Sequence, residues 1–91
     1  MAAKMQAARL QKAHQESFAN KAALAAQSKC GCFHCLKVFK PSEIVEWIEE
    51  KSGQTAVCPY CGIDSVIGES AEREITADFL RQMNEYWFSG V

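Results

Sequence analysis

The sequence predicts a small α+β fold, with short strands gathered around paired cysteines and helices before, within and after them. Three observations predict it. Four cysteines fall in two Cys-x2-Cys pairs, Cys32/Cys35 and Cys58/Cys61, with 22 residues between the pairs. Residues 2–28 contain no Pro or Gly and ten alanines, a composition that strongly favours helix. The run EITADFLRQMNEYWF near the C-terminus repeats large apolar residues at helical spacing. The chain has 91 residues, enough for one small domain and an extension, which divides it into an N-terminal helix, 1–29, and a cysteine-bearing domain, 30–91. A core of that size is thin, and such domains often need a metal, disulfides or a partner.

The elements follow in chain order. In the N-terminal helix the large apolar residues are Met5, Leu10, Phe18 and Leu24, and Leu10, His14, Phe18, Ala22 and Ala25 make one shallow stripe. Such a helix frays alone in water, so it is expected to dock on the body or on another chain. Leu36 to Phe39 reads as a short strand. KPSEIVEWIEEKSG then carries the marks of one inserted helix: Pro41 in the first turn, Glu43 and Glu46 near its N-terminus, Ile44, Trp47 and Ile48 on one face, and Gly53 as its stop. Thr55 to Val57 leads into the second cysteine pair and Val66-Ile67 leads away from it. In the C-terminal helix Ile75, Phe79, Met83 and Tyr86/Trp87 share a side with Leu80 beside them, and Thr76 is the expected N-cap.

Formal net charge is −1, so bulk charge steers the chain to neither nucleic acid nor membrane. The charge is unevenly divided: residues 1–29 carry five basic residues against Glu16 alone, and residues 30–91 carry five basic and ten acidic residues. No run of about 20 apolar residues exists to span a bilayer, and the N-terminus has no apolar secretion signal. The expected location is the cytoplasm, where clustered cysteines bind metal or do redox chemistry more often than they form structural disulfides.

Two residues between cysteines let a tight turn aim both sulfurs at one ion, and the turn's backbone amides can spread the sulfurs' charge. Cys32, Cys35, Cys58 and Cys61 therefore read as the four thiolate ligands of a tetrahedral, closed zinc site, with iron in the same cage a minor alternative. Gly62 follows the second pair where a positive φ is often needed. Cys30 is the surplus thiol; a Cys30-x4-Cys35 loop is usable, but the tight pair matches its counterpart. His34 occupies a position that normally points outward, and nothing assigns His14 a task.

Read alone, Cys58-Pro59-Tyr60-Cys61 is also the active-site loop of glutaredoxins. That chemistry requires a helix after the loop, to lower the pKa of the first thiol. Here GIDSVIG follows, and another Cys-x2-Cys pair precedes. No Gly-rich phosphate loop or defensible catalytic triad appears, so no enzymatic activity is expected. Glu43, Glu46, Glu49 and Glu50 read as a solvated face.

The stretch CGCFHCLKVFKPSEI…W…AVCPYCGIDSVIG, followed by ITADFLRQMNEYWF, resembles a family of small bacterial zinc-ribbon proteins generally described only as hypothetical or cytoplasmic. The similarity runs from Cys30 to Phe88. It implies a rubredoxin-like pair of zinc knuckles and no enzymatic activity. Some such proteins lie beside polymorphic toxin genes, which implies an immunity role. Two functions are therefore weighed. One is a protein-binding module whose partner is a protein such as a toxin domain, favoured by the acidic body and the aromatics of MNEYWF. The alternative is nucleic-acid binding of the kind seen in transcription-related zinc ribbons. The basic N-terminal arm favours it, and the scarcity of Lys and Arg near the site, Lys37, Lys40 and Lys51, opposes it.

Overall fold

The chain is organised around a three-residue strand, β1 (Cys30–Cys32), that has a neighbour on each side. In the computed structural model, which describes residues 2–70 and 73–88 with the side chains of 2–6 left aside, β1 pairs antiparallel with β2 (Val38–Phe39) and with β5 (Val66–Gly68). β3 (Trp47–Glu50) and β4 (Gly53–Ala56) form a separate antiparallel hairpin. Helices α1 (Ala2–Gln15), α2 (Lys21–Ala25) and α3 (Ala77–Phe88) complete an α+β fold.

Side chains alternate across a strand, and β1 uses this to serve two packing layers. Cys30 and Cys32 join Leu24, Phe39, Ile44, Ala56, Cys58 and Val66 in one buried cluster. Gly31 faces the other way: a Cβ built on it would lie 2.8 Å from Leu80 Cδ1 and 2.9 Å from Ile75 Cγ2. The second cluster holds Leu10, Ala13, Phe33, Ile67, Ile75, Phe79, Leu80 and Met83, with Trp87 packed against it. Helix α1 thus docks on α3 through Leu10 and Ala13, within the same core as the body. Of the expected stripe only Leu10 is buried, with His14 half-buried. Phe18 is 52 % exposed, Ala22 and Ala25 are exposed, and the buried series is Leu10, Ala13, Ser17, Asn20 and Leu24. The expected contribution of Met5 falls on a side chain outside those described.

The single N-terminal helix is two helices. Ser17 Oγ donates to His14 O at 2.7 Å, closing α1, and Ala19 turns the chain at φ +49°. The break serves Asn20. Its side chain leaves its own helix uncapped; Nδ2 donates to Val66 O at 2.9 Å, and Oδ1 accepts from Ala56 N at 3.2 Å. One buried amide therefore ties α2 to β4 and β5. Beside it, Ala19 N donates to the buried Thr55 Oγ1 at 2.8 Å. Arg73, its side chain 7 % exposed, pairs with Glu16 at 2.7 Å and donates to Gly68 O at 3.0 Å.

The inserted helix is also corrected. Pro41–Glu43 makes only a 3-10 turn, and the rest becomes the β3–β4 hairpin. Ile44, Trp47 and Ile48 offer too few apolar positions to fix a helical period, and the stretch is rich in β-branched and aromatic residues that suit a pleated surface. Closing the hairpin at Glu50 and Gly53 buries Thr55 and Ala56 fully. Gly53 does not end a helix; it opens β4 at φ +148°. The short strand after the first cysteine pair is narrower than expected, since Leu36 sits at φ +67° and pairing begins at Val38. α3 agrees with the sequence: Thr76 Oγ1 accepts from Phe79 N at 3.1 Å, the expected N-cap, and Ile75, Phe79, Leu80 and Met83 are buried.

Candidate metal centre

β1 delivers Cys32 into the first cysteine loop, and β4 delivers Cys58 into the second. The two loops share one hydrogen-bonding plan. Leu36 N donates to Cys32 O at 2.8 Å, and Gly62 N donates to Cys58 O at 2.9 Å. Cys32 N donates to Lys37 O at 3.0 Å, and Cys58 N to Ile63 O at 2.9 Å. His34 N and Tyr60 N each point at the first sulfur of their loop, at 3.4 Å. The turn requires a positive φ just after its second cysteine. Gly62 meets that at φ +80° without strain; Leu36 meets it at φ +67°, which for a side chain of this kind costs about 1–3 kcal/mol. That a leucine is held there marks the turn as a constraint of the site.

The loops face each other. Cys32 Sγ lies 3.7 Å from Cys61 Sγ, and Cys35 Sγ lies 3.7 Å from Cys58 Sγ. All four sulfurs fall within 4.8 Å of one another. A tetrahedron with metal–sulfur bonds of about 2.3 Å has edges of about 3.8 Å, whereas a disulfide requires about 2.05 Å. The four cysteines are thus spaced to hold a metal ion and are not bridged to each other. Cys32 and Cys58 are buried, Cys61 is half-buried and Cys35 is exposed.

Electrostatics favours a cation at the centre. Burial pushes the Cys32 thiol well up, against the opposing pull of the Cys35 and His34 amides. Burial likewise raises Cys61. At Cys58 burial also acts upward, but the Tyr60 and Cys61 amides and the neighbouring thiols outweigh it, and the net shift is downward. Burial opposes the charged form at Cys32 and Cys61; a bound metal ion supplies the charge that lets four thiolates share one small volume.

Cys30 stands outside the set. It is fully buried, its Sγ donates to Phe39 O at 3.5 Å, and burial, with the charges of Glu43 and Cys58, pushes its thiol up to about 12. His34 is exposed and also outside the set, its ring edge-on to Phe88 at 5.1 Å. His14 packs among Phe18, Phe33 and Trp87, with 4.2 Å between the His14 and Trp87 ring centroids.

The anchors of the loops were not foreseen. Asn84 of α3 donates through Nδ2 to the carbonyls of Phe33 and His34, both at 3.1 Å, holding the first loop on the helix. Phe33 N donates to Ser65 O at 3.0 Å, joining the first loop to the segment after the second. The Tyr60 hydroxyl donates to Glu43, and Glu43 Oε2 accepts from Lys40 N at 2.8 Å, tying the second loop to the 3-10 turn. Asn84 sits one position from Met83 on the predicted helix, but a polar residue beside an apolar stripe carries no signal of what it reaches. Comparison with models of known families, with curated proteins and with solved structures returned no match to this chain.

Proposed function

We propose that Cys32, Cys35, Cys58 and Cys61 hold a structural zinc ion in a zinc-ribbon-like pair of knuckles, and that the protein is a non-enzymatic, protein-binding module. The observation that carries the metal reading is the pair of 3.7 Å sulfur–sulfur separations between the loops, which is the edge length of a four-thiolate zinc site. Soft thiolate donors select zinc or iron over hard cations, and four of them leave no open position for a substrate.

The surface the metal would hold in place supports the second half of the reading. Leu36 and Val38 beside the first loop, and Tyr60 and Ile63 in and beside the second, are all exposed. Large apolar side chains clustered at one end of a small protein are a feature of protein interfaces. Lys37 lies over the Tyr60 ring at 4.8 Å, giving this face a cation. The MNEYWF run contributes less than its composition promised, because Met83 is buried and Trp87 packs on the core, leaving Tyr86 and Phe88 partly exposed. The partner class that the resemblance implies is a bacterial toxin domain, met in the cytoplasm. No described helix is long and apolar enough to cross a membrane.

The test is in two steps. Protein purified without added metal should carry about one zinc per chain by elemental analysis. The zinc-loaded protein should then form a complex with the toxin domain encoded beside it and relieve that domain's toxicity in cells. A Tyr60→Ser/Ile63→Ser variant that retains its zinc should lose both. Salt-sensitive binding to DNA or RNA, in place of the protein complex, would instead support the nucleic-acid reading.

A further inference from the structure

A second feature lies away from the cysteines, where α2 meets the segment around the 3-10 turn. An open cleft of about 470 Å3 is lined by Leu24, Pro41 and Trp47, with Lys21, Lys40 and Ser42 also facing it. That volume falls within the range of small-molecule sites, about 300–1,000 Å3. The apolar lining is partly aromatic, and the polar lining holds two lysines, two serines and the Gln27 carboxamide.

Two ammonium-bearing side chains, Lys21 and Lys40, line this one cleft. Residues 30–91 carry ten carboxylates against five basic residues, so a lysine on this body has ample choice of partner. Lys29, for comparison, pairs with Glu69 at 3.6 Å. Among the described residues neither Lys21 nor Lys40 has a carboxylate at ion-pair distance. The Lys21 ammonium rests over the Trp47 ring at 5.0 Å, a contact worth about 0.5–1 kcal/mol at an exposed site and readily exchanged for an anion. Glu43, whose charge Lys40 feels, is turned to the Tyr60 hydroxyl and the Lys40 amide and does not line the cleft.

We propose that this cleft binds a small phosphate monoester carrying a flat aromatic or heteroaromatic group. The phosphoryl oxygens take Lys21, Lys40 and the Ser42 hydroxyl, and the ring lies against Trp47, Pro41 and Leu24. A phosphate monoester fits better than a carboxylate because two separate ammonium groups and a hydroxyl suit a near-dianion with three acceptor oxygens. The Asn20 and Thr55 hydrogen bonds hold α2 on the sheets, so the cleft is preformed. The inference stands apart from the metal and protein-binding readings.

Trp47 is the reporter. In a Trp87→Phe background of the full zinc-loaded chain, phenyl phosphate and adenosine monophosphate should each change Trp47 fluorescence saturably. Inorganic phosphate and adenosine alone should bind about tenfold or more weakly. Lys21→Ala and Lys40→Ala should each weaken binding about tenfold, the loss of one charge-assisted hydrogen bond, with circular dichroism and zinc content unchanged. If Trp87→Phe does not fold, amide shifts of Lys21, Ser42 and Trp47 in wild-type nuclear magnetic resonance spectra give the same readout. The proposal is overturned by no saturation up to about 10 mM. It is equally overturned if binding is indifferent to both lysine substitutions, or if inorganic phosphate binds as tightly as phenyl phosphate.

Discussion

Gly31→Ala is the smallest perturbation that tests how the cysteine-bearing strand is seated. The added Cβ would lie 2.8 Å from Leu80 Cδ1, 2.9 Å from Ile75 Cγ2 and 3.2 Å from Leu80 Cδ2. Ordinary carbon–carbon contact is about 3.5–4.0 Å, so the closest overlap is about 0.7 Å. Neither neighbour can swing into solvent, since Leu80 is 0 % and Ile75 1 % exposed. One extra methyl in a filled core costs about 1–3 kcal/mol. Taken at about 2 kcal/mol, and at about 4–8 °C per kcal/mol for a chain of this size, the melting temperature should fall by about 8–16 °C. Differential scanning calorimetry of the zinc-loaded protein measures it. The Leu80 part of the clash is isolated by Leu80→Ala, which alone costs about 2–5 kcal/mol but removes two of the three crowded methyls, leaving Ile75 Cγ2. In the double variant the alanine at position 31 should cost less than it does alone, the remainder coming from Ile75, leaving a coupling of about 1 kcal/mol or more. Because Gly31 adjoins Cys32, Gly31→Ala should also loosen the metal, seen as faster zinc release to a chromogenic chelator. A melting temperature within about 2 °C of wild type, or strict additivity with Leu80→Ala, would refute the docking of α3 on β1.

Three further outcomes are expected. Cys30→Ala should retain its zinc and Cys61→Ser should lose it, by elemental analysis, and strong chelation should abolish the cooperative melt, because metal binding of about 10–16 kcal/mol exceeds what so small a core supplies. Asn20→Ala should cost about 2–4 kcal/mol in chemical denaturation, since it strands Val66 O and Ala56 N, both on fully buried residues; unchanged stability would show that the amide is dispensable. The Lys40 amide and the Tyr60 hydroxyl hold Glu43 below the usual carboxylate range, and the shared hydrogen bond raises Tyr60. The depressed folded-state value means that the Glu43 contribution is present above its unfolded pKa and is lost as pH falls through the folded one. A carbon-detected titration of Glu43 should therefore end below that of an unfolded control, and Glu43→Gln should return Tyr60 toward its ordinary value.

The grouping of the four cysteines was legible from spacing because its chemistry is local: each turn is short, and in the second turn Gly62 supplies the positive φ that must follow the second cysteine, a signal that Leu36 in the first turn does not give. α3 was legible for a related reason, since a sustained apolar period and a threonine cap specify one helix without reference to anything distant. Residues 41–53 were misread because Pro41, Glu43 and three apolar residues satisfy a helical template as well as a hairpin. The choice is made 36 residues away, where Ala19 N meets Thr55 Oγ1 and Asn20 meets Ala56 N. The break at 16–20 was hidden similarly. Alanine flanks it on both sides, no Gly or Pro marks it, and Asn20 reveals its purpose only once Val66 and Ala56 are within reach.

These misreadings bear on how the site is held. Had residues 2–28 been one straight helix, Asn20 would have had no route to β4 and β5, and Leu24 could not have entered the layer that contains Cys30, Cys32 and Cys58. The first loop leans on α3 through Asn84, the second on the 3-10 turn through Tyr60 and Glu43, and β1 binds the two layers through Gly31 on one face and its cysteines on the other. No single helix therefore frames the four sulfurs; segments from α2 to α3 converge on them. A metal at that point closes a loop of chain from Cys32 to Cys61 and fixes both exposed loop faces at once. Loss of the ion should consequently be felt first at Leu36, Val38, Tyr60 and Ile63, whose positions depend on the paired turns, and later at Leu10, Phe79 and Met83, which pack on α1 and α3. Hydrogen exchange after chelation distinguishes this order from uniform unfolding: early loss of protection at the loop amides of Leu36 and Gly62, with Met83 still protected, is the pattern expected if the metal's work is to hold a binding face.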